Sequence, residues 1–151
     1  MNIADDLATG FARNTGYLIR QIEAIDHGTS LVQHEGVNCL NWTVGHIVNY
    51  RNVILHLLGA DRIDWTDARY DRESEPIIGD GPDVVPFEEL KELLSSSGEA
   101  LATALRESTD LGLQRSVQSG DQDVAVGSRV QFYFFHDTLH VGQADVLAGI
   151  S

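Results

Sequence analysis

Phe132-Tyr133-Phe134-Phe135-His136-Asp137-Thr138-Leu139-His140-Val141-Gly142-Gln143 decides how this chain folds. Two histidines four apart lie one helical turn from each other, with Cβ atoms roughly 5–6 Å apart on one face. At that spacing both imidazoles can reach a single metal ion, or each other. Val130, Ala144, Val146 and Leu147 extend the apolar character to either side. A helix hydrophobic all round is a buried one, so the segment is expected to run through the middle of an all-α bundle. Histidines placed there need partners, because an unpaired buried polar group is costly.

Three more helices are legible upstream. Ile3, Leu7, Phe11, Leu18, Ile22 and Ile25 recur at helical spacing and predict a first helix from about Ile3 to Ile25. Asn2 caps it, and Asp5 and Asp6 suit the positive end of its dipole. Asn14 interrupts the stripe as a tolerated boundary residue, or as one facing a polar pocket or a subunit contact. In the connector over 26–40, His27 and His34 read as ordinary loop residues and Cys39 as a buried small hydrophobe.

A second helix is expected from Trp42 to Leu58, with Asn41 as cap and Gly59 as stop. Its inward face reads Trp42, His46, Asn49, Val53 and Leu57, while His56 points to the surface. Gly45 leaves room for a close approach beside His46. A third helix begins at Pro86, a suitable first-turn residue, with Glu88 and Glu89 behind it. Phe87, Leu90, Leu94, Leu101 and Leu105 form its stripe. Residues 113–127, with Ser119-Gly120-Asp121 between short apolar pieces, predict a small hairpin. Ser128 and Gln131 then offer a capping box for the last helix.

The connection over 60–85 is the anomaly. It is rich in Asp, Arg, Gly and Pro, and a connection that long is unusual in a compact domain unless it does something. If the second and third helices run in the same direction, the chain must travel back along a helix of about 25 Å. The expectation is therefore one domain over 1–151, a four-helix bundle of up-down-down-up order with a crossover anchored by Trp65 and Tyr70. Ile77, Ile78, Val84 and Val85 should pack beside them.

Composition limits the partners. The 151 residues carry 10 Lys and Arg against 23 Asp and Glu, a formal charge of −13. That balance argues against nucleic acid or an anionic membrane held through a general basic surface. A single cysteine excludes an internal disulfide and fits a reducing cytosol. The opening residues resemble no secretory signal, and no apolar run approaches the roughly 20 residues that span a bilayer. A cytoplasmic protein is expected.

Several arrangements use a His-x-x-x-His pair, and two hydrogen-bonded core histidines are one of them. His136-Asp137-Thr138-Leu139-His140 differs from the zinc-protease pattern HExxH in carrying Asp where the general base is Glu. The eleven residues after His140 also hold no His or Glu to complete such a site. A di-iron carboxylate bundle needs paired Glu-x-x-His motifs, and the chain has none. The remaining arrangement takes a third ligand from the second helix, where His46 is the inward histidine. Three neutral imidazoles at about 2.0–2.1 Å hold a divalent ion and leave a position open. Zinc, nickel, iron and copper all suit such ligands.

Asn41-Trp42-Thr43-Val44-Gly45-His46-Ile47, followed much later by His136-Asp137-Thr138-Leu139-His140-Val141-Gly142-Gln143, resembles the DinB-like family of four-helix metalloproteins. The resemblance implies the up-down-down-up bundle and a metal site at His46, His136 and His140. It also implies a homodimer, since relatives are often dimeric. Characterised relatives include thiol-dependent S-transferases and a mycothiol-dependent isomerase. The activity so implied is a metal-dependent transferase or isomerase, or a small hydrolase. It would act on a small electrophilic substrate, with a low-molecular-weight thiol as co-substrate. Asn49 and Gln143, each about a turn beyond a histidine, are candidates for orienting ligands or substrate. The competing reading is a non-enzymatic dimeric bundle that binds metal or a small ligand.

Overall fold

In the computed structural model, which describes residues 2–151, caps and apolar stripes produce the elements in turn. Asn2 accepts a hydrogen bond from the Ala4 amide at 3.0 Å and starts helix α1 (Ile3–Ile22). Leu7, Phe11, Leu18 and Ile22 are buried along it, whereas Ile3 is exposed and Ile25 lies beyond its end. Asp26 caps the short helix α2 (His27–Ser30). Helix α3 (Leu40–Leu58) begins earlier than its sequence suggests, with Cys39 at the cap position. Asn41 is therefore not a cap. It lies inside the helix, and its amide donates to the Val85 carbonyl at 3.0 Å. Gly59 ends α3 with φ +73.

Helix α4 (Phe87–Glu107) follows Pro86, and α5 (Asp110–Gln114) is capped by Thr109. The expected hairpin is present as β1 (Ser116–Ser119) and β2 (Gln122–Ala125), turning through Gly120 at φ +61. Helix α6 (Val126–Ile150) starts ahead of Ser128, so the anticipated capping box is replaced by Ala125 at the cap position.

The long helices α1, α4, α3 and α6 form a ring in that order, each packed on the next and α6 closing back on α1. Each helix in such a ring has two flanking neighbours and one side left over. That corrects the reading of α6 as enclosed. Val130, Tyr133, Val141, Ala144 and Leu147 are buried, but Phe132, Leu139, Val146 and Ile150 face outward and Phe135 is 66% exposed. Val53, read as inward on α3, is likewise exposed.

Polar residues divide the core in two. One apolar cluster holds Leu18, Ile47, Leu94 and Val141, and the other holds Phe11, Ile54, Leu101 and Val130. Between them every long helix contributes to one hydrogen-bonded layer. Arg51 of α3 reaches Asp137 of α6 and the Leu94 carbonyl of α4, and Asn14 of α1 donates to Asp137 at 3.0 Å. Asn14 thus faces a polar layer inside the bundle, one of the roles its position allowed.

The 60–85 connection is packed on the bundle. Tyr70, in a 3-10 turn over Ala68–Tyr70, is buried along with Ile77 and Val85, and Trp65 and Val84 pack against the same cluster. Ile78 is the exception and is exposed. His27 also does more than a loop residue, since its Nδ1 accepts from the Phe87 amide at 3.1 Å at the start of α4. Among the described residues no helix is long and apolar enough to cross a membrane.

Candidate metal centre

Packing α3 on α6 brings His46 to His136 and His140. The Trp42 ring lies flat on His46, with centroids 4.4 Å apart and an interplanar angle of 16°. Tyr50, one turn further along α3, meets the same imidazole edge-on at 4.6 Å. His46 Nδ1 is 2.6 Å from the Tyr70 carbonyl. A carbonyl can only accept, so Nδ1 carries the proton and Nε2 keeps its lone pair. His140 is fixed in the same sense, because its Nδ1 is 2.9 Å from Gln143 Oε1.

His136 Nε2 and His140 Nε2 are 3.2 Å apart, and the ligand atoms of all three histidines lie within 4.8 Å of one another. Two nitrogens each about 2.0–2.1 Å from one tetrahedral ion are themselves about 3.3–3.4 Å apart. The α6 pair therefore already stands at chelating separation. A hydrogen bond between the two rings would hold them as close, but it would leave His46 Nε2 without a protein partner among the described residues.

Burial favours the neutral, ligating form of each ring. It pushes His46 down to about 4, opposed by the bond to the Tyr70 carbonyl. His136 also falls to about 4 through burial and the neighbouring His140 and His46, and burial lowers His140. All three nitrogen donors are available at neutral pH. The donor set and its spacing fit a divalent ion.

The 60–85 connection reaches into this centre through Tyr70. Its ring lies against Gly45, where an added Cβ would collide with the edge of the Tyr70 ring. The close approach expected beside His46 is thus made by this ring. Tyr70 Oη donates to Asn41 Oδ1 at 2.9 Å and accepts from the Val85 amide at 3.1 Å. Trp42 Nε1 donates to the Arg69 carbonyl at 3.0 Å. Asn49 turns its amide to the same connection, donating to the Asp67 carbonyl at 2.7 Å and to Asp71 Oδ1 at 3.1 Å. Gln143 contacts a candidate ligand directly, whereas Asn49 braces the segment that orients one.

The model of the DinB superfamily matches residues 14–144, a span that includes all three histidines and the connection. The chain belongs to the DinB superfamily. Comparison with curated proteins finds no match.

In this DinB superfamily member a cavity of about 580 Å³ opens over the histidines, walled by Trp42, Tyr50, Phe132 and Tyr133. Arg72 and Arg129 line it as well. The sequence marked Trp42 as inward-facing on the second helix but assigned none of these six to a cavity. Tyr50 is four residues after His46, and Tyr133 and Arg129 are three and seven before His136. Those are same-face helical offsets and could have been searched. Arg72 comes from the connection, where no periodicity applies. Cys39 is buried and its thiol is pushed up by burial, which removes it as a nucleophile. His56 is exposed at the end of α3, as read.

Proposed function

We propose that the chain is a divalent-metal-dependent enzyme acting on a small electrophilic substrate, of the thiol-dependent transferase or isomerase kind. The observation that supports this is the meeting of three neutral imidazoles at the floor of an open cavity. His46, His136 and His140 would hold the ion; zinc, nickel and iron suit the donor set. Bound there, the ion would supply Lewis acidity and lower the pKa of a small thiol or water molecule. The chain's own groups do the rest. Tyr70 and Gln143 fix the ring tautomers, Trp42 and Tyr50 hold the plane of His46, and the aromatic walls keep water from the apolar part of a substrate.

The bundle course proposed with this reading is up-down-down-up. Asn41 pairs with Val85 at the start of α3 and α4, and Arg51 pairs with Leu94 further along both, which supports parallel helices. A homodimer through the outer apolar face of α6 is proposed too, with Phe135, Leu139, Val146 and Ile150 as its core. Sedimentation equilibrium tests it: a monomer at all concentrations removes the dimer. A cytoplasmic location is the compartment proposed.

The competing proposal, a non-enzymatic ligand-binding bundle, is disfavoured by the open cavity, since a purely structural ion is normally closed off by protein ligands. Elemental analysis of purified protein, followed by a screen of low-molecular-weight thiols against a chromogenic aryl halide, tests the enzymatic reading. Zinc-loaded protein that accelerates none of the thiols over the buffer rate would leave the binding-bundle reading in place.

A further inference from the structure

We infer that the cavity over the histidines takes a small organic anion, its carboxylate or phosphate oxygens held between Arg72 and Arg129. This deepens the reading of the cavity as a substrate site and rests on it.

The first argument is the distribution of charge. Acidic residues outnumber basic ones 23 to 10 in this chain, yet the cavity lining among the described residues contains two arginines and no Asp or Glu. Asp71, held by Asn49, and Glu73 lie outside this lining and face the adjoining cavity on the other side of Arg72 and Tyr50. The buried carboxylate near the histidines, Asp137, is occupied by Arg51. Three neutral imidazoles contribute no negative charge either. A divalent ion would therefore add its charge to two guanidinium groups in a partly enclosed space. An anionic ligand is the natural counter-charge. In a protein of net charge −13, an anion is drawn in only where local positive charge is concentrated.

The second argument is the state of the two arginines. Arg129 is half-buried and already ordered, with its guanidinium carbon 4.9 Å from the Tyr133 ring centroid and 5.2 Å from that of Phe132. One donor is used, from Nη2 to Tyr133 Oη at 2.9 Å. A guanidinium has five N–H donors in a fixed fork that matches oxyanions bidentately, so most of Arg129 remains available. Arg72, exposed on the connection, lines the same cavity and forms no ion pair among the described residues. Two cations from separate elements, with Tyr50 and Tyr133 beside them, suit an anion that carries a flat apolar body.

The test uses zinc-loaded and chelator-treated protein, titrated by NMR with benzoate, phenyl phosphate and the neutral isostere benzamide. Benzoate or phenyl phosphate should bind, and the stronger of the two identifies the oxyanion. Benzamide should bind at least ten-fold more weakly. Arg72→Gln and Arg129→Gln should each weaken anion binding about ten-fold, Arg129→Lys should restore part of the loss, and Arg62→Gln, outside the lining, should change nothing. Equal binding of benzamide and benzoate, or no binding of either anion, overturns the inference. So does anion binding that vanishes on chelation but is unaltered in both glutamine variants, because the anion is then only a ligand of the ion. Zinc stoichiometry, measured separately, keeps the two readings apart. Arginine-dependent anion binding by protein that takes up no zinc would sustain the anion site and refute the metal centre.

Discussion

Arg51 and Asp137 are paired inside the bundle, Nε to Oδ1 at 2.9 Å and Nη2 to Oδ2 at 3.3 Å, with the arginine fully buried. Arg51 lies five residues after His46, and Asp137 sits between His136 and His140. The pair therefore clamps α3 to α6 within a turn or so of the histidines. A sliding of either helix by one turn would separate the charges in an apolar surround, at considerable cost.

Asp137→Ala should leave that arginine charge unpaired and destabilise the protein by about 3–5 kcal/mol. Combining Arg51→Met with Asp137→Leu should recover most of the loss, since neither charge then remains. Urea unfolding measures both. A double variant no more stable than Asp137→Ala would show that the layer is needed for more than charge balance.

Zinc uptake should separate the histidines. His46→Ala, His136→Ala and His140→Ala should each lower zinc stoichiometry to near zero, with His34→Ala unaffected. His27→Ala should also keep its zinc but lose about 1 kcal/mol of stability, because the Phe87 amide loses its acceptor. Equal zinc loss in all of these variants would mean the wrong histidines have been assigned.

Metal-free protein should lose stability as pH falls from about 6.5 to about 4. The unfolded chain protonates its histidines near 6.5, whereas burial holds His46 and His136 at about 4 when folded. Between those values the unfolded state binds more protons, so stability is full above the window and declines down through it. His46 alone contributes on the order of 3 kcal/mol across it, and His46→Gln should flatten the profile correspondingly. Thermal melts in chelator over that range provide the measurement; parallel profiles would contradict a buried neutral His46.

Gly45→Ala should disturb the centre without touching a ligand. The new methyl meets the Tyr70 ring, and displacing that ring moves the carbonyl that orients His46. Loss of such an orienting partner typically costs 10–100-fold in metal affinity, so zinc affinity should fall by about ten-fold or more. Unchanged affinity would show that the bond from His46 to Tyr70 is dispensable.

The 60–85 connection should resist trypsin at Arg62, Arg69 and Arg72 for as long as the bundle is folded. Its backbone is tied down by Asn49, Asn52 and Trp42, and its buried side chains cannot leave singly. Rapid native cleavage at these sites would mark the segment as a flexible insertion.

Local information in the sequence determined a good deal of this protein. Helical spacing of apolar residues placed α1, α3, α4 and α6, because a 3.6-residue period is written along the chain itself. The i, i+4 spacing of His136 and His140 set them side by side before any tertiary contact, and His46 followed as the inward histidine of α3. Helix ends were read less well. Asn41 looks like a cap, but its amide is taken by Val85 and its oxygen by Tyr70, partners far along the chain. Exposure of one side of α6 was hidden for a related reason, since an apolar helix does not record how many neighbours it will have. Arg51, Tyr70 and Arg72 show the limit most clearly. Each acquires its place only when α3, α6 and the connection pack together, and charge pairing, tautomer fixing and cavity lining depend on distances between segments that no local pattern encodes.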